Sequence, residues 1–340
     1  MDFSLDPEQL ALREAVRRFC DAEYPAPSRG NAEPAALARQ RHRALAELGV
    51  LGLNIPARHG GAGLGAVETM LVAHELGRVL HSGNWLPNAV LVPKLLAQVG
   101  STACLAELAG GKLQMALACQ EEAARHELAD VRTVARLMPS GGWQLSGSKT
   151  LVLGGAQADV FIVVARSAGD RSDQTGLSLF AAPSNTPGLQ VTATPLLDAR
   201  SAAQLDLHDV LLPGTALLGH AGQAWLAIEA AADAATAALC AEAAGAMQAL
   251  LEITCEHLRT RQQFGQPLAR FQALQHQVAE MGMALEEMLS MACLAAMALD
   301  GGEPAQIKRF VSASKTLVAQ RGRRCALAAI QLHGAMGHDR

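Results

Sequence analysis

The feature that most constrains this chain is residues 222–261, "GQAWLAIEAAADAATAALCAEAAGAMQALLEITCEHLRTR". The stretch is rich in alanine and leucine and contains no proline, so it predicts one continuous helix. That helix is several times longer than the average of about 11–12 residues in globular proteins. Because a long helix is stabilised mainly by packing, the stretch predicts neighbouring helices of similar length.

The chain supplies such neighbours after a break. In "RTRQQFGQPLARFQALQH" (259–276), Phe264, Gly265 and Pro267 interrupt the helical pattern. Helical periodicity then resumes, is stopped by "LDGGEP" (299–304), and resumes once more. Long helices joined by short connections predict an up-down bundle at the C-terminus.

The first part of the chain, to about residue 112, is also predicted to be helical. In "DPEQ", Asp6 can cap a helix, Pro7 suits its first turn and Gln9 can reach back to the cap. "AVETMLVAHELGRVL" (66–80) predicts a further helix. The glycine-rich "HGGAGLG" (59–65) neither follows a strand nor fits a dinucleotide-binding pattern, so it predicts a turn.

Between about 113 and 215 the pattern changes to short apolar runs of strand length. They are "LQMALAC", "GWQLSG", "KTLVLG", "DVFIVVAR", "GLSLFAA", "LQVTAT" and "AQLDLHDVLL". Turn residues separate these runs, and no helices alternate with them. We therefore predict an α+β protein with a helical domain (1–112), a middle β domain (113–218) and a C-terminal helical bundle (219–340).

Composition excludes several classes of protein. The 340 residues are 50% hydrophobic, enough for a large core, and the net charge of −4 provides no basic surface for nucleic acid. The longest apolar runs, such as "MACLAAMAL" (291–299), are too short to span a bilayer, and the acidic start "MDFSLDPEQL" is unlike a signal peptide. Seven scattered cysteines without a CxxC pair indicate a reducing cytoplasm and no structural metal.

Several segments, in their order along the chain, resemble the acyl-CoA dehydrogenase family. They are "LGVLGLNIPARHGGAGLG", "HELGRVL", "GWQLSGSKTLVLGGAQADVFIVVAR", "RTRQQFGQPLARFQALQH" and "IQLHGAMG". The resemblance covers essentially the whole chain. It implies an N-terminal helical domain, a middle β-barrel or sandwich and a C-terminal four-helix bundle.

The resemblance also explains the break at 259–276. In this family the segment reaches across a dimer interface to the FAD of the neighbouring subunit. Arg261 would pair with the pyrophosphate, because a guanidinium matches phosphate oxygens. Phe264 would pack near the adenosine half, while Phe271 and Gln272 would line the same groove.

From "QLHG", Gln331 and Gly334 would bring an amide and bare backbone against the dinucleotide. The opposing hypotheses are that Arg261 is a solvated cation complementing a helix dipole and that His333 is structural.

The family's catalytic glutamate is not found. The family reaction is an α,β-dehydrogenation of an acyl-CoA thioester, in which a glutamate removes the α-proton while hydride leaves to the flavin. One family position for that glutamate corresponds to Ala235, which is followed by Thr236. The other lies beyond Arg340, the last residue given.

Three acids on the same predicted helix are possible bases, or else ordinary solvated acids: Glu229, Asp233 and Glu242. Asp233 would lie nearly opposite Ala235 on the helix, and Glu242 two turns further on. The small residues at 231, 232, 234 and 235 hint at a wide substrate cavity.

The predicted flavin platform is also altered. "LACQ" (117–120) occupies the strand that lines the isoalloxazine ring in the family, so Leu117 and Gln120 are candidate contacts. Leu151 stands at an aromatic position, and Leu153 at the position of a Thr or Ser that contacts flavin N5. Leucine packs on a flavin but donates no hydrogen bond.

Three hypotheses follow. The first is an FAD-dependent acyl-CoA dehydrogenase, with electron-transfer flavoprotein as the expected acceptor. The second is a non-catalytic subunit that completes the FAD site of a catalytic partner. The third is a family-like protein with other flavin chemistry, or a binding scaffold. Separately, the alanine- and methionine-rich bundle predicts a homo- or hetero-oligomer, a dimer or tetramer, and we expect no nucleic acid, membrane or metal partner.

Overall fold

The structure is a computed structural model that describes residues 4–25 and 33–338. Its α-helices are α1 (Pro7–Glu23), α2 (Ala35–Glu47), α3 (Ala66–Arg78), α4 (Val92–Gln98), α5 (Leu105–Ala109), α6 (Trp225–Thr260), α7 (Gln272–Gly301) and α8 (Pro304–His333). Its strands are β1 (Met115–Ala118), β2 (Val134–Leu137), β3 (Trp143–Leu153), β4 (Val160–Arg166), β5 (Leu177–Pro183), β6 (Leu189–Pro195), β7 (Ser201–Leu212), β8 (Leu217–Leu218), β9 (Gln262–Gln263) and β10 (Gln266–Pro267).

The order of helical, strand and helical segments confirms the predicted α+β fold. The predicted start of α1 is also confirmed: Gln9 N donates to Asp6 Oδ1 at 2.8 Å, and Asp6 N donates to Gln9 Oε1 at 3.1 Å. The domain boundaries at 112 and 218 stay a prediction. The described residues form two compact units.

The sheet unit comprises residues within 30–64 and 82–235. Its strands form one eight-stranded sheet in the order β6-β7-β3-β2-β4-β5-β8, with β1 pairing in parallel with β4. Most neighbours are antiparallel, as the absence of βαβ alternation predicted.

The sheet curls on itself, so that its two faces bury different cores. Alternate residues of β4 separate cleanly: Ile162 and Val164 pack with α4, α5 and the start of α6, whereas Phe161 and Val163 pack inside the curled sheet. The inner core joins β3 and β5, which are not neighbours in the sheet, through Trp143 and Phe180 with ring centroids 5.1 Å apart.

One strand prediction is wrong. "GWQLSG" and "KTLVLG", predicted as separate strands, form the single strand β3, which pairs with β7 along almost its whole length. Two register shifts interrupt that pairing, between Leu145 and Gly147 and between Lys149 and Val152. Gly147 and the serines on either side of it lie at the first of these irregularities, because a bulge tolerates the same residues as a turn.

The helical unit comprises described residues within 1–29, 65–81 and 236–340. The predicted continuous helix is confirmed as α6, and α7 and α8 follow it after the predicted break. The described residues thus supply three long helices to the C-terminal bundle, where α7 packs on α8 and on α3.

Length and composition alone would allow α6 and α7 to cross a membrane, a test that the core helices of soluble proteins also pass. The uninterrupted apolar runs of the sequence are too short to span a bilayer, but the complete helices that contain them are long enough. Part of the apolar surface of both helices packs within the bundle, where side chains of α6, α7 and α8 share two core clusters.

A pair of glycines in this unit gives a matched stability test. A Cβ at Gly245, in α6, would lie 1.9 Å from the carbonyl oxygen of His74, whereas a Cβ at Gly282, in α7, meets nothing within 4 Å. We expect Gly245→Ala to destabilise the protein by roughly 1–3 kcal/mol through overpacking. Gly282→Ala should stabilise it by about 0.5–1 kcal/mol, because alanine is the better helix former.

Thermal or urea unfolding of both variants measures this difference. Equal effects of the two substitutions would contradict the close approach of α3 and α6.

Candidate cofactor site

The break between α6 and α7 is a tight hairpin. Gln263 of β9 pairs with Gln266 of β10, leaving Phe264 and Gly265 as the two turn residues. Both have positive φ, 53° and 77°, as a type I′ hairpin turn requires. Glycine adopts this conformation readily, but a bulky aromatic residue does not.

The turn presents Phe264 to solvent. Its side chain is 89% exposed, and its ring contacts that of Phe271 edge-on, with centroids 6.1 Å apart. An aromatic ring this exposed, in a strained backbone conformation, contributes little to the stability of the isolated chain. Such strain is typical of residues selected for binding.

We therefore expect Phe264→Asn to have opposite effects on stability and on cofactor retention. Asparagine is favoured at this position of a type I′ turn, so the FAD-free protein should gain about 1 kcal/mol of stability. The same change removes the ring predicted to pack on adenosine, so FAD should dissociate faster. Unfolding of the FAD-free protein and FAD release from the holoprotein measure the two effects, and unchanged release would remove Phe264 from the site.

Arg261 lies directly before the hairpin and is exposed. Its backbone is fixed at both ends, since its N–H donates to His257 O at 2.9 Å and its carbonyl accepts from Leu268 N at 2.9 Å. Within residues 4–25 and 33–338, no acidic side chain forms an ion pair with its guanidinium. The cation is therefore available to an external anion.

The predicted "QLHG" segment lies close to this arginine. His333 stacks on His257, one turn before Arg261, with ring centroids 4.4 Å apart and an interplanar angle of 25°. The same turn of α8 carries Gln331, which is exposed, and ends at Gly334, whose N–H donates to Gln331 O. Gln272 is the exposed first residue of α7.

Sequence reasoning missed His257, which shows no motif of its own. Partial burial, together with the neighbouring His333 and Arg261, lowers the pKa of His257 below its ordinary value. The imidazole thus responds to positive charge around it. A bound diphosphate would raise this pKa again, because an anion favours the imidazolium form.

The four predicted flavin contacts all lie in the sheet unit. Leu117, on β1, is buried in the core cluster that faces the helices. Gln120 follows β1, and its carbonyl accepts from Thr150 N at 2.9 Å. Leu151 is 42% exposed with φ of 50°, and Leu153 is half-buried at the end of β3.

The candidate bases all lie on α6. Ala235 is 7% exposed, so the position at which the resemblance predicts a glutamate is a buried methyl group. Glu229, Asp233 and Glu242 are each half-buried. The catalytic residue stays unassigned.

These residues fit the FAD that the resemblance implies. The hairpin offers an uncompensated guanidinium for phosphate, an exposed aromatic ring for a nucleobase, and exposed amides at Gln272 and Gln331. The sheet unit offers Leu151, whose left-handed backbone conformation exposes its side chain. The assignment of individual residues to parts of FAD stays a prediction.

Comparison with known families extends over the whole chain. The chain matches the acyl-CoA dehydrogenase N-terminal domain over residues 6–112, the middle domain over 116–210 and the C-terminal domain over 222–340. The three matches occur in the order in which the helical, strand and helical segments occur here.

Individual relatives match over nearly their full length. The acryloyl-CoA reductase (NADH) of Anaerotignum propionicum is 26% identical, with 99% of this chain and 87% of that protein covered. The L-prolyl-[peptidyl-carrier protein] dehydrogenase of Pseudomonas fluorescens is 27% identical, with 99% and 90% covered. The FAD complex of PigA superposes with a TM-score of 0.88 at 25% identity, with 100% and 90% of the two chains covered.

Proposed function

The chain belongs to the acyl-CoA dehydrogenase family, and we propose that it is an FAD-dependent dehydrogenase of acyl-CoA thioesters. The observation that carries this proposal is the match to all three family domains, in order, along one chain. Its oxidoreductase class is that of enzymes acting on CH–CH bonds.

The residues of this chain would have the following roles in binding FAD. Arg261 would bind the pyrophosphate of FAD, and Phe264, Phe271 and Gln272 would hold the dinucleotide beside it. Gln331 and Gly334 would approach the dinucleotide from the end of α8. Leu151 and Leu153 would pack against the flavin and exclude water from it. When bound, FAD supplies the acceptor for hydride from the β-carbon of the substrate.

Removal of the α-proton requires a base that Ala235 cannot supply. General base catalysis contributes typically about 10²–10⁴-fold in rate. Restoring only a carboxylate by Ala235→Glu should add little, because a glutamate among buried alanines would tend to stay protonated. The active enzyme must therefore use a base at another position.

The comparisons do not favour the hypothesis of a non-catalytic subunit. The relatives that match over nearly the whole chain are named for catalysis, one as a reductase and one as a dehydrogenase. One of them acts on a prolyl group carried by a peptidyl-carrier protein. The choice of thioester carrier is therefore part of the test of function.

We further propose an oligomer assembled through the C-terminal bundle, with electron-transfer flavoprotein as electron acceptor and the cytoplasm as location. Large apolar side chains on the bundle are exposed in the single chain, among them Ile253, Met283 and Leu327 at 56%, 62% and 58%. Such side chains favour burial against another subunit. A monomer of 35.5 kDa in sedimentation at micromolar concentration would contradict this assembly.

A thioester panel tests the proposed activity. The purified holoprotein is assayed with straight-chain, branched and aromatic acyl-CoA thioesters, and with the same acyl groups on a carrier protein. We expect electron-transfer flavoprotein to be reduced with at least one acyl-CoA. Reduction with carrier-protein thioesters alone would identify the other carrier as the substrate.

A further inference from the structure

A buried ion pair lies beside the strands that carry the predicted flavin contacts. Lys149 Nζ is 2.7 Å from Glu121 Oε1, and the two side chains are 0% and 6% exposed. Apolar side chains of similar volume often replace a buried ion pair without loss of stability. Packing alone therefore does not account for these charges.

The Glu121 carboxylate joins three segments of the sheet unit. Oε2 accepts from Arg132 N at 2.8 Å, and Oε1 accepts from both Thr133 N at 3.0 Å and Thr133 Oγ1 at 2.7 Å. Glu121 follows β1, these donors precede β2, and Lys149 belongs to β3. An apolar residue at 121 would leave buried donors without an acceptor, which is why the site needs a carboxylate.

The cation stands next to the bulge in β3. Lys149 faces Leu205 and Val152 faces Ala203, so Thr150 and Leu151 together face the single residue between those two on β7. This extra residue is accommodated by the left-handed conformation of Leu151, which leaves its side chain 42% exposed. Lys149 is the last regularly paired residue before the bulge.

The first residue of the bulge, Thr150, is tied to the backbone next to Glu121. Thr150 N donates to the carbonyl of Gln120 at 2.9 Å, and Gln120 directly precedes Glu121. Two anchors therefore hold this end of the bulge, the Lys149 ammonium on the Glu121 carboxylate and Thr150 N on the carbonyl of the adjacent Gln120.

The carboxyl group of Glu121 stays ionised in this pair. Burial by itself would raise the pKa of Glu121, but the charge and hydrogen bond of Lys149 and the donors at Thr133 hold that pKa below its ordinary value. Burial lowers the pKa of Lys149 from its ordinary value, against the opposing effect of Glu121.

We propose that Glu121 and Lys149 are positioning residues, whose buried ion pair fixes the β3 bulge and thereby presents Leu151 and Gln120 to the flavin. The role rests on the proposed function, since it takes these two residues as flavin contacts. The pair acts through geometry and touches neither substrate nor cofactor. The two charges provide a fixed shape of the bulge rather than net stability.

The test compares single and double substitutions. Lys149→Met leaves the Glu121 carboxylate buried without its cation and should lower the unfolding temperature strongly. In the double variant Glu121→Gln, Lys149→Met, the amide oxygen still accepts from Thr133 N and Thr133 Oγ1, and no charge is left unpaired. We expect the double variant to regain most of the lost unfolding temperature.

Two further measurements on the folded double variant decide the proposal. Because the bulge is no longer fixed, FAD affinity should fall by about tenfold or more, with an altered visible circular dichroism of the bound flavin. Amide hydrogen exchange at residues 150–153 of the FAD-free protein should become faster than in the wild type. Arg18→Gln, which breaks the exposed pair with Glu14 on α1, should leave all of these unchanged.

A stable double variant with wild-type FAD affinity, flavin dichroism and hydrogen exchange would overturn the proposal. Hydrogen exchange separates this result from a failure of the proposed function. A wild-type protein that binds no FAD refutes the function, whereas slow exchange at 150–153 in the FAD-free double variant refutes the positioning role by itself.

Discussion

Replacing Arg261 with alanine is expected to weaken FAD binding by about ten- to a hundredfold. A charge-assisted hydrogen bond to phosphate contributes roughly 1.5–3 kcal/mol, and each 1.4 kcal/mol corresponds to about a tenfold change in affinity. Arg261 is exposed and free of ion pairs within the described residues, so its removal should leave the folded chain intact. The loss should therefore appear in binding and not in unfolding of the FAD-free protein.

Arg259→Ala is the matched control. Arg259 carries the same charge two residues earlier on the exposed surface of α6, and the resemblance assigns it no contact with FAD. Titration of FAD-free protein with FAD should separate the two variants by at least about tenfold. If both variants lose the same FAD affinity, or show the same salt dependence of FAD binding, Arg261 contributes only through its general positive charge.

Stability should decrease by about 3 kcal/mol between neutral and strongly acidic pH because of one histidine. His42, on α2 in the sheet unit, is 5% exposed. Within the part of the chain that the structure describes, neither of its ring nitrogens has a hydrogen-bond partner. Burial lowers the pKa of His42 from 6.5 to about 4, and Asp159 opposes this only weakly.

The direction of the pH effect follows from proton binding. Below pH 6.5 the unfolded chain protonates this histidine while the folded chain does not, so stability falls as the pH decreases. The loss continues until the folded-state pKa near 4 is reached. A difference of about 2.5 pKa units corresponds to roughly 3 kcal/mol, of which roughly 2 kcal/mol is already lost at pH 5.

Unfolding of wild type and His42→Leu at pH 7.5 and pH 5 measures this contribution. Leucine fills the site without a titratable group, so the variant should lose roughly 2 kcal/mol less than the wild type between the two pH values. His276→Leu, at an exposed position of α7, should behave as the wild type. An identical pH dependence of all three proteins would show that His42 is solvated or hydrogen-bonded in solution.

Much of the fold could be predicted from the sequence because its signals are local. The length of α6, the break at Phe264–Pro267 and the capping of α1 by Asp6 each depend on neighbouring residues, and each was predicted from them. The continuity of β3 was not predicted from the sequence. A bulge and a turn share their residue preferences, and only pairing with β7 distinguishes them.

The site could be predicted only where a motif carried it. Arg261 and Phe264 stand in a recognisable motif, but the left-handed backbone of Phe264 and the stacking of His257 on His333 depend on contacts between separate elements. His42 gave no signal at all, since its unusual pKa arises from burial by residues distant in sequence. Likewise, the role of Glu121 could not be predicted from the sequence, because it depends on hydrogen bonds from Arg132 N and Thr133 N that only the structure shows.

The central claim is that this chain is an FAD-dependent acyl-CoA dehydrogenase whose base is not at position 235. Anaerobic mixing of the purified holoprotein with the acyl-CoA panel tests it most directly, by following the visible absorption of oxidised flavin. The account predicts loss of that absorption with at least one acyl-CoA, and the same rate within about twofold in Ala235→Glu. Full retention of oxidised flavin with every thioester would contradict the proposed activity, and a large rate gain in Ala235→Glu would show that position 235 is the missing base.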